Sequence, residues 1–188
     1  MSISLGVVLV GAILVATMSA QPIPHTAAQP LSEVRNAADQ GNASAQFNLG
    51  VMYADGQGVP QDHGEAAKWY RKAADQGNAS AQFNLGVVYA NGQGAPQDYG
   101  EAAKWYRKAA DQGNASAQFN LGVVYANGQG APQDYVLAYM WINLAAAAST
   151  DTEKKVAEAR DSIASKMTPE QVADAQRLAR EWKPITSK

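Results

Sequence analysis

From Asn78 to Ala90 the small and apolar residues Ala81, Leu85, Gly86 and Tyr89 return at helical spacing, which predicts a helix with one buried face. The next periodic segment, about Asp98 to Gln112, puts Ala102, Trp105, Tyr106 and Ala109 at i, i+3, i+4 and i+7, a second buried stripe. Asn78 has the side chain of a helix N-cap, and Gly77 before it suits the end of the preceding helix. The charges of the second segment follow the helix macrodipole, with Asp98 and Glu101 in the first turn and Lys104, Arg107 and Lys108 later. They need no ligand to explain them. A glycine inside a helix costs about 1 kcal/mol relative to alanine, so Gly86 in a buried stripe implies that a backbone or a large ring packs directly on it.

This helix, turn, helix pattern recurs. Gly64 to Tyr99 returns without a change as Gly100 to Tyr135, a period of 36 residues that marks a repeat array. A slightly diverged earlier copy contributes Ala37 to Asp62, with Met52, Asp55 and Val59 where the next copy has Val88, Asn91 and Ala95. The expected fold is therefore all-α: an α/α superhelix, or solenoid, over 31–148 in three units plus an N-terminal half repeat. Identity this complete means that chemistry built into the array would be present two or three times, which is hard to reconcile with a unique catalytic site.

The ends differ as exposed ends of a solenoid must. Leu31 to Gln40 reads as a degenerate second helix that closes one side, with Ser32 and Glu33 in place of the later Lys and Trp. In the third unit Val136, Leu137, Tyr139, Met140, Ile142 and Leu144 replace mostly polar or small residues, and these groups require a cover. Residues 149–188 supply it as a C-terminal helical hairpin, Thr150 to Lys166 and Thr168 to Trp182. Each opens with a capping-box pattern, Thr150-x-x-Glu153 and Thr168-Pro169-x-Gln171. Their stripes are Val156, Ala159, Ile163 and Met167, then Val172, Ala175, Leu178 and Trp182.

Residues 1–20 contain no charged side chain and carry an apolar run, Leu5 to Val15, followed by small residues and the Pro-rich linker 21–30. This reads as a secretory signal cleaved near Ala20, although its positive n-region is missing and the first basic side chain is Arg35. The alternative is a retained N-terminal anchor, because twenty uncharged residues are long enough to span a bilayer of about 30 Å. Either way the rest is expected to be exported, periplasmic or secreted. The 188-residue chain holds 15 basic and 17 acidic residues, a formal net charge of -2, so nucleic acid is a poor partner. Cysteine is absent, which excludes disulfides, thiolate metal sites and cysteine nucleophiles.

The residues Ala45, Leu49, Gly50, Tyr53, Gly56, Gly58, Pro60, Asp62, Ala66, Trp69, Tyr70, Ala73, Ala74 and Gly77, recurring one period later, resemble the Sel-one-like repeat family, relatives of tetratricopeptide repeats. The resemblance covers about Leu31 to Ala148. It implies a superhelix used for protein–protein interaction, often in exported bacterial proteins, with a C-terminal extension like the one here. Penicillin binding or β-lactamase activity has been attached to cysteine-rich members of the family. This chain has no cysteine, and that activity is not carried over.

Other candidate chemistry is thin. The loops Asp55-Gly-Gln-Gly58, Asn91-Gly-Gln-Gly94 and Asn127-Gly-Gln-Gly130 lack the strand-to-helix setting of a phosphate loop and the oxygen ladder of a calcium loop, so they read as turns. Ser44, Ser80 and Ser116 have no histidine within their units, and His25 and His63 do not make a metal site. The Asn-Ala-Ser triplets at Asn42, Asn78 and Asn114 match a glycosylation acceptor but are better explained as caps, and Trp69-Tyr70-Arg71-Lys72 reads as core rather than as an aromatic-basic patch. No cofactor or metal is expected. What remains is the face each first helix leaves open, with Gln46, Phe47, Asn48 and Val51 repeated as Gln82, Phe83, Asn84 and Val87, then Gln118, Phe119, Asn120 and Val123. Stacked along a concave wall, Phe47, Phe83 and Phe119, Asn48, Asn84 and Asn120, and Val51, Val87 and Val123 would form ladders for a protein or peptide partner. The competing reading is that the rings fill gaps between helices and the amides are solvated. Three functions stay open: an interaction scaffold, a structural protein acting by self-association, and an enzyme of cell-wall or β-lactam chemistry, which lacks a nucleophile–base pair.

Overall fold

The computed structural model describes residues 30–148 and 153–185. The signal or anchor at 1–20, most of the Pro-rich linker and the Thr150 capping box lie outside the described residues. Among the described residues there are nine helices and no strand: α1 (Leu31–Asp39), α2 (Ala43–Asp55), α3 (His63–Asp75), α4 (Ala79–Asn91), α5 (Tyr99–Asp111), α6 (Ala115–Asn127), α7 (Tyr135–Ala148), α8 (Glu153–Ala164) and α9 (Pro169–Glu181). The most extensive packing joins α2 to α3, α4 to α5 and α6 to α7, one helix pair per repeat. Contacts of α3 with α4 and of α5 with α6 join successive repeats, and α1 lies on α2 as the half-repeat cap.

The caps follow the repeat. Asn42, Asn78 and Asn114 accept from the backbone N–H of Ala45, Ala81 and Ala117, all at 2.9 Å, so the Asn-Ala-Ser triplets have a structural role as N-caps. Asp62 and Asp98 do the same for α3 and α5, and the Asp134 carboxylate accepts from Leu137 N–H. Each first helix ends on a left-handed glycine, such as Gly92 at φ 70°, whose N–H returns to the Val88 carbonyl. Beyond it the chain folds back: the Gln97 side chain donates to the Ala90 carbonyl at 2.7 Å and Asp98 N–H to the Tyr89 carbonyl at 2.9 Å. The Gly-rich loops thus complete helix ends. Gly94 also lies so close to the previous repeat that any side chain there would collide with the His63 carbonyl.

The glycine expected to carry a ring does so. A methyl group added to Gly50 or Gly86 would lie 2.6 Å from the ring of Tyr70 or Tyr106, and at Gly122 it would lie 2.5 Å from Ile142. Helix backbone and side chain therefore meet without a Cβ between them in every repeat. The core runs beneath these contacts, from Val34, Ala38 and Leu49 at one end to its largest cluster around Tyr106, Trp141 and Ile142. There the apolar residues of the third unit are covered by Val156, Ile163, Ala175 and Ala179. Helices α8 and α9 each pack on α7 and barely on one another, so the C-terminal pair caps the array through α7 rather than as the expected closely packed hairpin. The Thr168–Gln171 capping box is formed in both directions.

Between repeats lies a buried polar rung. Gln46, Gln82 and Gln118 are 5%, 5% and 2% exposed, not on the open face where their spacing beside Phe and Asn had put them. Their amides donate to Ala38, Ala74 and Ala110 carbonyls at the end of the preceding helix, at 3.1, 3.1 and 3.3 Å. Their oxygens look forward: Gln46 accepts from Gln76 and Gln82 accepts from Gln112, both at 2.7 Å. The third rung is incomplete, because alanine stands at 148 where the other repeats have Gln76 and Gln112, and the buried Gln118 Oε1 finds no partner among the described residues.

Two outcomes follow for stability, each read as a urea midpoint under constant slope. Gly86→Ala is expected to lose about 1–3 kcal/mol from overpacking against Tyr106, although alanine is the better helix former. Gln82→Leu is expected to cost about 1–2 kcal/mol, and Gln118→Leu distinctly less, because the latter removes an acceptor that is buried without a donor.

Candidate functional site

Helices α2, α4 and α6 each carry the same mixed aromatic, aliphatic and amide set, the rows expected to line a concave wall. Phe47, Phe83 and Phe119 are half-buried, as are Val51, Val87 and Val123. Phe47 leans on the Tyr70 ring and Phe83 on Tyr106, both with centroids 6.0 Å apart and planes tilted by 35° and 36°. Phe119 has Ile142 at the corresponding place and no ring partner of this kind among the described residues. Each ring thus fills space beside its own repeat and keeps part of its surface open.

The amides are not equivalent. Asn48 and Asn84 are half-buried, whereas Asn120 is 6% exposed and belongs to the packed wall rather than to its surface. Burial pushes the Tyr70 phenol up to about 12, and the side-chain hydrogen bond from Asn84 acts the other way. Burial raises Tyr106 still further, with Asn120 opposing it, and the Tyr106 hydroxyl is buried without a well-formed partner among the described residues. Asn48 differs, because the residue one period before Tyr70 is Val34. The ladder therefore splits: Asn84 and Asn120 face tyrosines of the preceding repeat, and Asn48 sits in the one unit without that tyrosine.

A second set of repeated contacts clamps neighbouring repeats. Arg71 donates to the Tyr89 hydroxyl and lies 4.9 Å over the Trp105 ring, joining α3, α4 and α5. Arg107 repeats this with Tyr125 at 3.4 Å and Trp141 at 5.2 Å, and Arg35 reaches Tyr53 at 2.6 Å. Tyr70 is buried, as are Trp105 and Trp141 one and two periods after Trp69, in keeping with core, but Trp69 itself is half-buried with Lys72 3.7 Å from its ring centroid, because no earlier full repeat covers it. Spacing alone could have exposed this clamp, because Arg and Tyr stand 18 residues apart in each of three copies. Ser44 and Ser80 are exposed on α2 and α4. Among the described residues no group of three or more His, Asp or Glu is placed to hold a metal ion, and no helix is long and apolar enough to cross a membrane.

Comparison with known proteins places this geometry. The family model described as Sel1 repeat matches residues 43–78, 79–114 and 115–149. A solved protective antigen present in uropathogenic Escherichia coli strains, displaying an SLR fold, is 31% identical over 81% of this chain with a TM-score of 0.61. The chain spans 40% of that protein. A solved Sel1 repeat protein from Oxalobacter formigenes is 40% identical, with 70% of this chain and 97% of the other covered and a TM-score of 0.62. No curated protein matches the chain.

Tyr70 is neutral in the fold with its pKa raised above the unfolded value near 10, so its contribution is intact below pH 10 and is lost as pH rises toward 12. Alkaline titration is expected to remove about 2 kcal/mol of stability from this residue alone over that interval, seen as a falling urea midpoint. Tyr70→Phe is expected to flatten the loss.

Proposed function

Because the chain belongs to the Sel1 repeat family, we propose that it is a non-catalytic protein–protein interaction module whose concave wall, α2, α4 and α6, binds an extended peptide or protein segment. Sel1 repeats generally mediate protein–protein interaction, and the array presents the same residues in successive units. The observation that carries the reading is the half-buried Phe and Val rows of that wall, with Asn48 and Asn84 half-buried beside them. Rings held against Tyr70 and Tyr106 are already ordered, so a partner that covers them gains apolar contact with little further loss of side-chain freedom. Asn48 and the exposed Ser44 and Ser80 offer hydrogen bonds to a peptide backbone. The uncharged segment 1–20, with its apolar run followed by the small residues up to Ala20, supports export and a partner in the cell envelope or the secreted space.

The test is capture of an envelope partner by the mature chain and by an Asn48→Lys, Ser80→Lys variant. Both positions are on the wall and neither supports a buried tyrosine, so circular dichroism should not change. Loss of the captured partner by about tenfold or more, equivalent to ~1.4 kcal/mol, supports the wall as the working surface. Undiminished capture by the folded variant removes it.

A further inference from the structure

The last described residues lie as an extended strap on the array. After α9 the chain leaves the helix at Trp182, with φ -65° and ψ 140°. The Trp182 ring meets Trp141 edge-on, centroids 6.1 Å apart at 73°. Pro184 comes to 3.8 Å from where a side chain at Gly113 would begin, and Ile185 N–H donates to the Asp111 carbonyl at 2.7 Å. That carbonyl is one of the group at a helix C-terminus that has no partner within the helix. Three features hold the strap: an aromatic residue on a tryptophan, a proline on a glycine turn, and one backbone hydrogen bond.

The same turn occurs one repeat earlier without a strap. Asp75-Gln-Gly-Asn78 has the residues of Asp111-Gln-Gly-Asn114, and Gly77 has φ 89° where Gly113 has 87°. The internal hydrogen bonds match pair by pair, with Asn78 N–H on the Ala73 carbonyl and Asn114 N–H on the Ala109 carbonyl, both at 3.1 Å. Nothing lies within 4 Å of a side chain built at Gly77, and no described residue donates to the Asp75 carbonyl. Asp75 and Gln76 are exposed where Asp111 and Gln112 are half-buried. The aromatic platform is repeated too, as Trp105 with Arg71 over it stands for Trp141 with Arg107 over it. Over the ring itself the two differ: Lys108 lies 4.0 Å from the Trp105 centroid, and Leu144 holds the corresponding place in the strapped repeat, whose helix also has Met140 for Lys104 and Asn143 for Arg107.

We infer that the turn between α3 and α4 is a second docking site, for an extended partner segment of the form aromatic, any residue, proline, aliphatic, bound as the chain binds its own Trp182-Lys-Pro-Ile185. The partner's ring packs at Trp105 and its proline on Gly77. The N–H after the proline donates to the Asp75 carbonyl. Lys108, exposed and flexible, swings off the ring to admit the aromatic group, and it then faces the residue before it, which in the strap is Glu181. An acidic residue at that place suits the site. This site is separate from the α2, α4 and α6 wall, so either can fail without the other.

The probe is a fluorescein-labelled, N-acetylated peptide with the sequence of residues 181–186, titrated into the full chain and followed by anisotropy. Saturable binding is expected, lost by at least about tenfold when the peptide tryptophan is alanine. Lys108→Leu, which puts the strapped repeat's residue beside the Trp105 ring, is expected to tighten binding several-fold with unchanged circular dichroism. A chain carrying Trp182→Ala, which frees the α5–α6 turn, is expected to bind an additional peptide. Binding that appears only after Trp182→Ala overturns the proposal, because the peptide then does no more than replace the chain's own strap. No binding to any variant, or no tightening by Lys108→Leu, overturns it as well.

Discussion

In each repeat a side chain of the second helix lies directly on the backbone of the first, at a glycine that leaves no Cβ between them. Tyr70 on Gly50, Tyr106 on Gly86 and Ile142 on Gly122 set how closely the two helices approach. At that separation Leu49, Leu85 and Leu121 are sealed and Phe47 and Phe83 find a tyrosine ring to lean on. A larger residue at the glycine would move the pair apart, and side chains in close-packed interiors feel displacements of a methylene's size. The contact also holds each phenol in place, buried, where an amide of the next repeat can reach it.

The repeats are joined by polar groups that reach across from one to the next. A buried glutamine would be costly unless hydrogen-bonded, and Gln82 resolves this by spanning three helices, from the Ala74 carbonyl to the Gln112 amide. Arg71 likewise spans α3, α4 and α5 through Tyr89 and Trp105. Both devices read the register between neighbours, because their partners are met only when a following repeat is correctly placed. Where the array stops, the pattern is left unfinished at Gln118 Oε1, and apolar packing under α8 and α9 takes over.

Identical sequence does not give identical surroundings. Asn84 and Asn120 stand in copies that match residue for residue, yet one is half-buried and the other buried. Their repeats meet different neighbours, α6 and α7 in one case and α8 and α9 beyond α7 in the other. The same holds for the turns at Gly77 and Gly113, one open and one strapped by the chain's own C-terminal segment. A solenoid built from equal units therefore presents unequal sites, and its ends differ most.

Much of this was legible in the residues alone. Period, helix pairing, caps at Asn78 and Thr168, the ring on Gly86 and the burial of Trp105 follow from local rules, since spacing along a helix decides which side chains share a face. The partner of each face was not legible. Gln82 and Asn84 both border Phe83 in sequence, and hydrophobicity ranks both as exposed; only the neighbouring helix end, 8 residues back from Gln82, decides that one amide is buried in a rung. The strap was likewise hidden, because Ile185 and Asp111 meet through backbone atoms that carry no residue code. Sequence determined the repeating helices and their inner faces through local spacing, and tertiary structure alone decided which polar groups seal the repeats and which turns stay open, because those choices depend on what lies across the gap.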